Sequence, residues 1–267
     1  MDKAGQKYWN ELWADGEIPS AVDPRDTQLA NRVNRRFHHM FQRLFSGYDT
    51  SSMRLLEIGC GKSAWLPYFA KEFGFHVYGL DYSPIGCEMA RAVLQANKIE
   101  VEVVCADFFS PPENMLGKFD VVVSFGVIEH FEDTSGCIRS VSSFLKTGGM
   151  LITSIPNMVG MIGAVQKVIN KPVYDIHCLI DPAMLKSAHE NAGLAVLESD
   201  YFLSTSFGVN NLAGLSTRSP SGFLKKIFLS VLARVSMLIW LIEEKIGDFP
   251  PSKLASPYIN CVALKRS

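Results

Sequence analysis

A chain of 267 residues with a formal net charge of −1, 48% hydrophobic and 20% charged, can bury one sizeable core and is too apolar for large-scale disorder. Its basic residues form no long run, so it lacks the electrostatic footprint of a nucleic-acid binder and no such partner is expected. The six cysteines, Cys60, Cys87, Cys105, Cys137, Cys178 and Cys261, contain no C-x-x-C pair, which argues against a zinc site or redox motif.

The opening "MDKAGQKYWNELWADGEIP" is charged and broken rather than shaped like an export signal, so a reducing cytoplasm is expected. It leads into an amphipathic helix, "NRRFHHMFQRLF", on which His38 and His39 read as surface or interface residues; residues 1–50 are expected to form an N-terminal helical cap. From residue 51 to the end, short β-rich apolar runs alternate with helical patterns, the signature of a doubly wound α/β domain around a mostly parallel sheet. The strands read "RLLEIGC", "FHVYGLDY", "VEVVCADFF", "FDVVVSFGV", "GMLITSIPN", "AVLESDYFL" and "YINCVALKR"; helices fall in "SAWLPYFAKEFG", "PIGCEMARAVLQAN", "TSGCIRSVSSFL" and "DPAMLKSAHENAG".

Two segments break the alternation. Residues 158–179, after the fifth strand, carry Met158, Met161, Ile162, Val165, Val168 and Ile169 at near-helical spacing and read as a lid. Residues 204–256, after the sixth, contain "FLKKIFLSVLARVSMLIWLIEEKIG", whose length approaches a bilayer span. Arg234 at its middle and Lys225, Lys226, Glu243 and Glu244 at its ends argue against crossing one. Its apolar residues, among them Phe223, Leu224, Ile227, Phe228, Val231, Leu232, Val235, Leu238, Ile239 and Ile242, form one broad face. That face is expected to cap the domain or form a homodimer; the other reading is a peripheral contact of 223–246 with the inner face of a membrane.

"LLEIGCGKSAW" carries the densest signal. Its glycines let a backbone turn approach a ligand closely, ahead of the free N–H groups of a helix. Taken alone it also satisfies the dinucleotide pattern G-x-G-x-x-G/A. Glu57 inside the motif would repel a pyrophosphate but suits a ligand bearing an ammonium and a sulfonium. Asp81 ends the second strand, where an acid can accept from both ribose hydroxyls. Asp107 ends the third, placed to accept from an adenine amino group while Phe108 packs on the ring. Three acids at adjacent strand ends describe a cationic adenosine ligand without phosphates.

With "GLDYS", "CADFF", "FDVVVSFGVIEHF" and "FLKTGGMLITSIPN" in order, the chain resembles the class I S-adenosylmethionine-dependent methyltransferases, most closely the ubiquinone-pathway O-methyltransferases and related polysaccharide or natural-product enzymes. The resemblance implies a Rossmann-like seven-stranded sheet with an antiparallel last strand. S-adenosyl-L-methionine is the implied cofactor, with Glu57, Gly59 and Gly61 at its methionine end, Asp81 at the ribose and Asp107 at the adenine. Tyr82, Phe108 and Ser124 complete the expected cofactor set, and Tyr8 and Trp9 either shield the sulfonium or dock the terminus. Family members that use a divalent metal carry E-x-x-E-H after the fourth strand. Here Gly126 replaces the first acid, with Glu129 and His130 retained, so no metal is expected.

Methyl transfer to a hydroxyl requires alignment and removal of a proton. His130 is the first candidate base, the alternative being that it orders the cofactor pocket. "KPVYDIHCL" would hang over the same strand ends, so His177 is a second candidate base, with Glu129, Tyr174 and Asp175 lining the acceptor site. The expected reaction is O-methylation of a small molecule, with lipid-linked, glycan or quinone-type acceptors suggested by the apolar insertions. A nicotinamide-dependent oxidoreductase and a noncatalytic binding protein of the same fold are the alternatives.

Overall fold

A computed structural model describes residues 1–14 and 17–266; Asp15 and Gly16, within the expected cap, and Ser267, closing the expected domain, lie outside the described residues. Helices α1 (Gly5–Ala14) and α2 (Arg32–Phe45) precede strand β1 (Arg54–Ile58). There follow α3 (Trp65–Phe73), β2 (His76–Asp81), α4 (Pro84–Ala96), β3 (Glu102–Cys105), β4 (Phe119–Phe125), α5 (Thr134–Ser142) and β5 (Leu145–Pro156). The chain continues through α6 (Met161–Ile169), α7 (Lys171–Asp175), α8 (Pro182–Asn191), β6 (Leu194–Phe202) and α9 (Pro220–Ile246), and ends in β7 (Tyr258–Lys265).

The strands form one seven-stranded sheet in the order β3-β2-β1-β4-β5-β7-β6, parallel except for β7, which runs antiparallel to both neighbours. The doubly wound, mostly parallel sheet read from the sequence is therefore the observed fold. Chain order reverses between β1 and β4, and ligands of such sheets bind at the carboxyl ends of the strands flanking that reversal. Alternation along each strand feeds two cores. Leu56, Ile58 and Val122 pack beneath α5 and α8, whereas Leu55, Val121 and Val123 face Phe37, Phe41 and Phe69 of α2 and α3. Four of the six free cysteines are buried; Cys105 is exposed and Cys178 half-buried.

Both insertions are helical, but α9 packs opposite to the expected cap. Its buried side chains are Ser236, Trp240 and Glu243, while the apolar face is turned to solvent. Partners elsewhere in the chain explain the choice. Trp240 Nε1 donates to the Thr205 carbonyl at 3.0 Å, and Ser236 Oγ accepts from the Phe207 N–H at 3.0 Å. Glu243, nearly buried, pairs with Arg32 of α2 at 3.1 Å, and Arg32 also reaches Asp248 at 2.6 Å. Burying a charged pair favours the fold only while both members are present. Glu243→Gln is expected to lower unfolding stability by about 1.5 kcal/mol, the size of a charge-assisted hydrogen bond, as read by urea denaturation.

Candidate active site

Beyond β1 the chain turns beneath α1. Gly59 adopts φ 73°, a left-handed conformation costly for other residues, and a Cβ there would collide with the Val127 side chain. A Cβ on Gly61 would lie 2.7 Å from Trp13 Nε1 and 2.9 Å from Asp81 Oδ2, so this turn has room only for backbone. Asp81, the last residue of β2, accepts from the N–H groups of Gly61 and Ser83, both at 2.8 Å, and thereby ties the two loops together. Burial raises its pKa, and backbone donors oppose that rise. Glu57 accepts from the Ser63 hydroxyl at 2.6 Å; burial pushes it up to about 8, against the Ser63 hydrogen bond and helped by the nearby Asp81 charge. Asp107 follows β3, with Phe108, Phe109 and Phe131 clustered beside it at centroid separations of 4.4 to 5.4 Å.

These groups line a cavity of about 700 Å³ at the carboxyl ends of β1 to β4. Five acidic side chains, of Asp2, Glu57, Asp81, Asp107 and Asp133, border it against a single lysine, Lys62. Such a wall disfavours a pyrophosphate and favours a cationic adenosine compound. The glycine turn, the acid at the end of β2 and the aromatic slot beside Asp107 fit S-adenosylmethionine. The N-terminal segment closes the site: Lys3 donates from its backbone to the His130 carbonyl at 2.9 Å and from Nζ to the His177 carbonyl at 3.0 Å, and the Tyr82 hydroxyl donates to Asp2 at 2.9 Å.

A second cavity, of about 390 Å³, opens beside the first, and Trp9, Trp65, Phe125, Gly126 and His130 line both. Its remaining wall is mostly apolar, including Phe37, Met158, Val173, Ile176 and Tyr258, with Glu129 and His177 as its other ionisable members besides Tyr8 and Tyr258. His130 Nδ1 lies 3.0 Å from the Ile176 carbonyl; a carbonyl only accepts, so Nδ1 carries the proton and Nε2 keeps its lone pair. His177 is held likewise, Nδ1 against the Val173 carbonyl at 2.6 Å. Burial lowers the pKa of both rings, that of His177 to about 4 with the His130 charge contributing, while hydrogen bonding to the Ile176 carbonyl opposes the fall at His130. Glu129 is 1% exposed, its Oε2 has no hydrogen-bond partner among the described residues, and burial pushes its pKa up to about 8.

Glu129, His130 and His177 offer ligand atoms all within 4.8 Å of one another, the one such group among the described residues that could hold a metal ion. The motif with Gly126 in place of an acid pointed away from metal; His177, from the lid, supplies a third donor that the motif does not contain. Two imidazoles and one carboxylate suit a transition ion better than magnesium.

The structure gathers Trp9, Glu57, Gly59, Gly61, Asp81, Tyr82, Asp107, Phe108 and His130 on the first cavity. Four expected members fall elsewhere. Tyr8 lines the second cavity rather than the cofactor's, because α1 turns it one residue away from Trp9. Ser124 is fully buried within β4, between β1 and β5, and reaches neither cavity. Tyr174 stacks under the Lys167 ammonium and Asp175 pairs with Lys171, so both point off the lid rather than into the acceptor space. Conversely, Trp13, stacked on Trp9 at 5.8 Å, and Phe109 and Phe131 line the first cavity. Their signal was aromatic density beside the motifs.

Residues 28–199 match the family described as "Methyltransferase domain". The chain is 28% identical over 153 residues to the ubiquinone biosynthesis O-methyltransferase of Aeromonas salmonicida, covering 54% of this chain and 63% of that protein. It is 35% identical over 108 residues to the ribosomal protein L11 methyltransferase of Thermosipho africanus, covering 40% and 39%. The chain thus spans less than two thirds of these curated relatives. The crystal structure of geranyl diphosphate C-methyltransferase from Streptomyces coelicolor A3(2), solved with S-adenosyl-L-homocysteine, superposes with a TM-score of 0.61 over 97% of each chain at 14% identity, a likeness of fold.

Proposed function

The chain belongs to the methyltransferase-domain family of S-adenosylmethionine-dependent enzymes, and on that premise we propose that it transfers the cofactor's methyl group to a hydroxyl oxygen of an apolar, quinone-type small molecule. The observation that carries the reading is the meeting of an acid-lined cavity with an apolar one at His130. The ubiquinone-pathway relatives support oxygen as the acceptor atom.

When bound, the cofactor supplies a methyl group activated by its sulfonium. Glu57, Asp81 and Asp107 bind and orient the donor, while Trp9 and Trp13 exclude water and offer ring faces that attract onium cations. His130 Nε2 takes the acceptor's proton, its ring held by the Ile176 carbonyl. Apolar groups such as Phe37, Met158 and Val173 seat the acceptor. A panel of ring-hydroxyl, sugar-hydroxyl and amine acceptors, assayed with methyl-labelled cofactor, tests this: label on a ring hydroxyl is expected, and label confined to nitrogen or carbon contradicts it.

The unpartnered Oε2 of Glu129 favours a second reading, in which Glu129, His130 and His177 would hold a divalent ion that would supply Lewis-acid activation of a hydroxyl. Dialysis against a chelator separates the two. Unchanged turnover is expected for His130 as base, whereas loss restored by added manganese or zinc supports the ion.

Glu57 makes donor binding pH-dependent. Without ligand its pKa is about 8, so it is largely protonated at pH 7, and a neighbouring onium cation favours the ionised form. Binding therefore releases a proton and tightens as pH rises from 6 toward 8, by at most about tenfold per pH unit. Calorimetry in buffers of differing ionisation enthalpy checks this, and Glu57→Gln is expected to abolish the proton release.

A further inference from the structure

The solvent face of α9 is the largest unpartnered feature outside the site. Over 27 residues, about 40 Å of helix, ten large apolar side chains stand exposed, including Phe223 at 56%, Leu224 at 65%, Leu238 at 60% and Ile246 at 69%. An apolar stripe of that length exceeds what monomer surfaces ordinarily leave to water. The opposite side is fixed to the body by Ser236, Trp240 and Glu243 through three interactions, so the helix cannot roll its apolar face inward without breaking them.

Charge decides what covers it. At 100° per residue, Arg234 and Lys245 fall within the apolar arc, between Phe223 and Leu238, with Lys226 beyond its edge, and none of the three forms an ion pair among the described residues. Acids do not balance them. Glu243 is buried against Arg32, and Glu244 approaches Arg32 and Arg35 of α2 at 3.9 and 3.8 Å. A second copy packed face to face about a two-fold near the helix centre would set two Arg234 side chains against each other, with no free acid on that face to offset them. An apolar face that carries unpaired cations instead complements anionic headgroups above acyl chains, the long apolar stems of Arg234 and Lys245 letting their charged ends reach up to the phosphates. No helix among the described residues is long and apolar enough to cross a membrane, so α9 would lie in the surface.

We propose that α9 docks this protein on an anionic lipid bilayer, its apolar face immersed and Lys226, Arg234 and Lys245 on the phosphates. The placement serves the site. The buried side of α9 rests on the 207–209 turn, and Val209 and Asn211 line the apolar cavity, so docking would hold that cavity near the bilayer. An amphiphilic acceptor held in the bilayer would then be concentrated near the cavity. That last step rests on the methyltransferase reading; the docking itself does not.

Pelleting of the full chain with vesicles tests it. Binding is expected to vesicles of phosphatidylcholine with added phosphatidylglycerol, weaker to phosphatidylcholine alone and weakened by salt. Lys226→Glu with Arg234→Glu and Lys245→Glu should lower the partition coefficient on the anionic vesicles roughly a hundredfold or more. Val231→Asp with Leu238→Asp should lower it on both kinds. All five side chains are exposed, so melting temperature and S-adenosylhomocysteine binding should stay at wild-type values and serve as the check on folding. Wild-type protein left in the supernatant with anionic vesicles, or variants that bind as well as wild type, overturns the proposal. A dimer in solution that Leu238→Asp dissolves assigns the face to a second copy instead and equally overturns it. Loss of S-adenosylhomocysteine binding in every form, wild type included, would count against the active-site reading and leave the docking result standing.

Discussion

Asp81→Ala is expected to weaken S-adenosylhomocysteine binding by about 4 kcal/mol, roughly a thousandfold. Two losses combine. In the proposed binding mode the carboxylate accepts from both ribose hydroxyls, and it also holds the N–H groups of Gly61 and Ser83, at 2.8 Å each, which ties the two loops together. Asp81→Asn keeps an acceptor oxygen and should fall between wild type and alanine. Calorimetric titration checks the order, and equal affinity for all three proteins contradicts the assignment.

His130→Ala is expected to lower turnover of the identified acceptor 10² to 10⁴-fold, the range for losing a general base, while donor affinity stays within a few fold. The asymmetry is the diagnostic. His130 lies where the cavities meet, with Nδ1 committed to Ile176 and Nε2 3.9 Å from Glu129 Oε1, whereas Asp81 lines the first cavity alone. His177, whose ring centroid is 4.7 Å from that of His130 and which lines only the acceptor cavity, should give a smaller loss on replacement by alanine. If His177→Ala costs as much turnover as His130→Ala, the ion-binding reading gains and the single-base reading fails.

Much of the fold could be read from the chain because its strands are short, apolar and bounded by turn residues, and because parallel strands demand helical crossovers. That Glu57, Asp81 and Asp107 would meet was legible for the same reason: they sit at strand ends, and strand ends of this sheet converge on one cavity. What escaped depended on docking. Trp13 rather than Tyr8 covers the glycine turn because of how α1 rolls onto α4, which no local pattern sets. Tyr174 and Asp175 lie on a five-residue helix too short to show a face, and they turn toward Lys167 and Lys171 of the lid itself. Along α9 the periodicity marked an apolar face correctly, yet Trp240, Ser236 and Glu243 found long-range partners in Thr205, Phe207 and Arg32, and these decided which side meets the body. A helix with two capable faces leaves that choice to tertiary contacts.

A calorimetric comparison decides whether the acid-lined cavity is the seat of a sulfonium adenosine donor. Purified protein is titrated with S-adenosylhomocysteine and, separately, with NAD⁺. One-to-one binding of S-adenosylhomocysteine, with no heat from NAD⁺, is the expected result. Binding of NAD⁺ without S-adenosylhomocysteine would contradict the account.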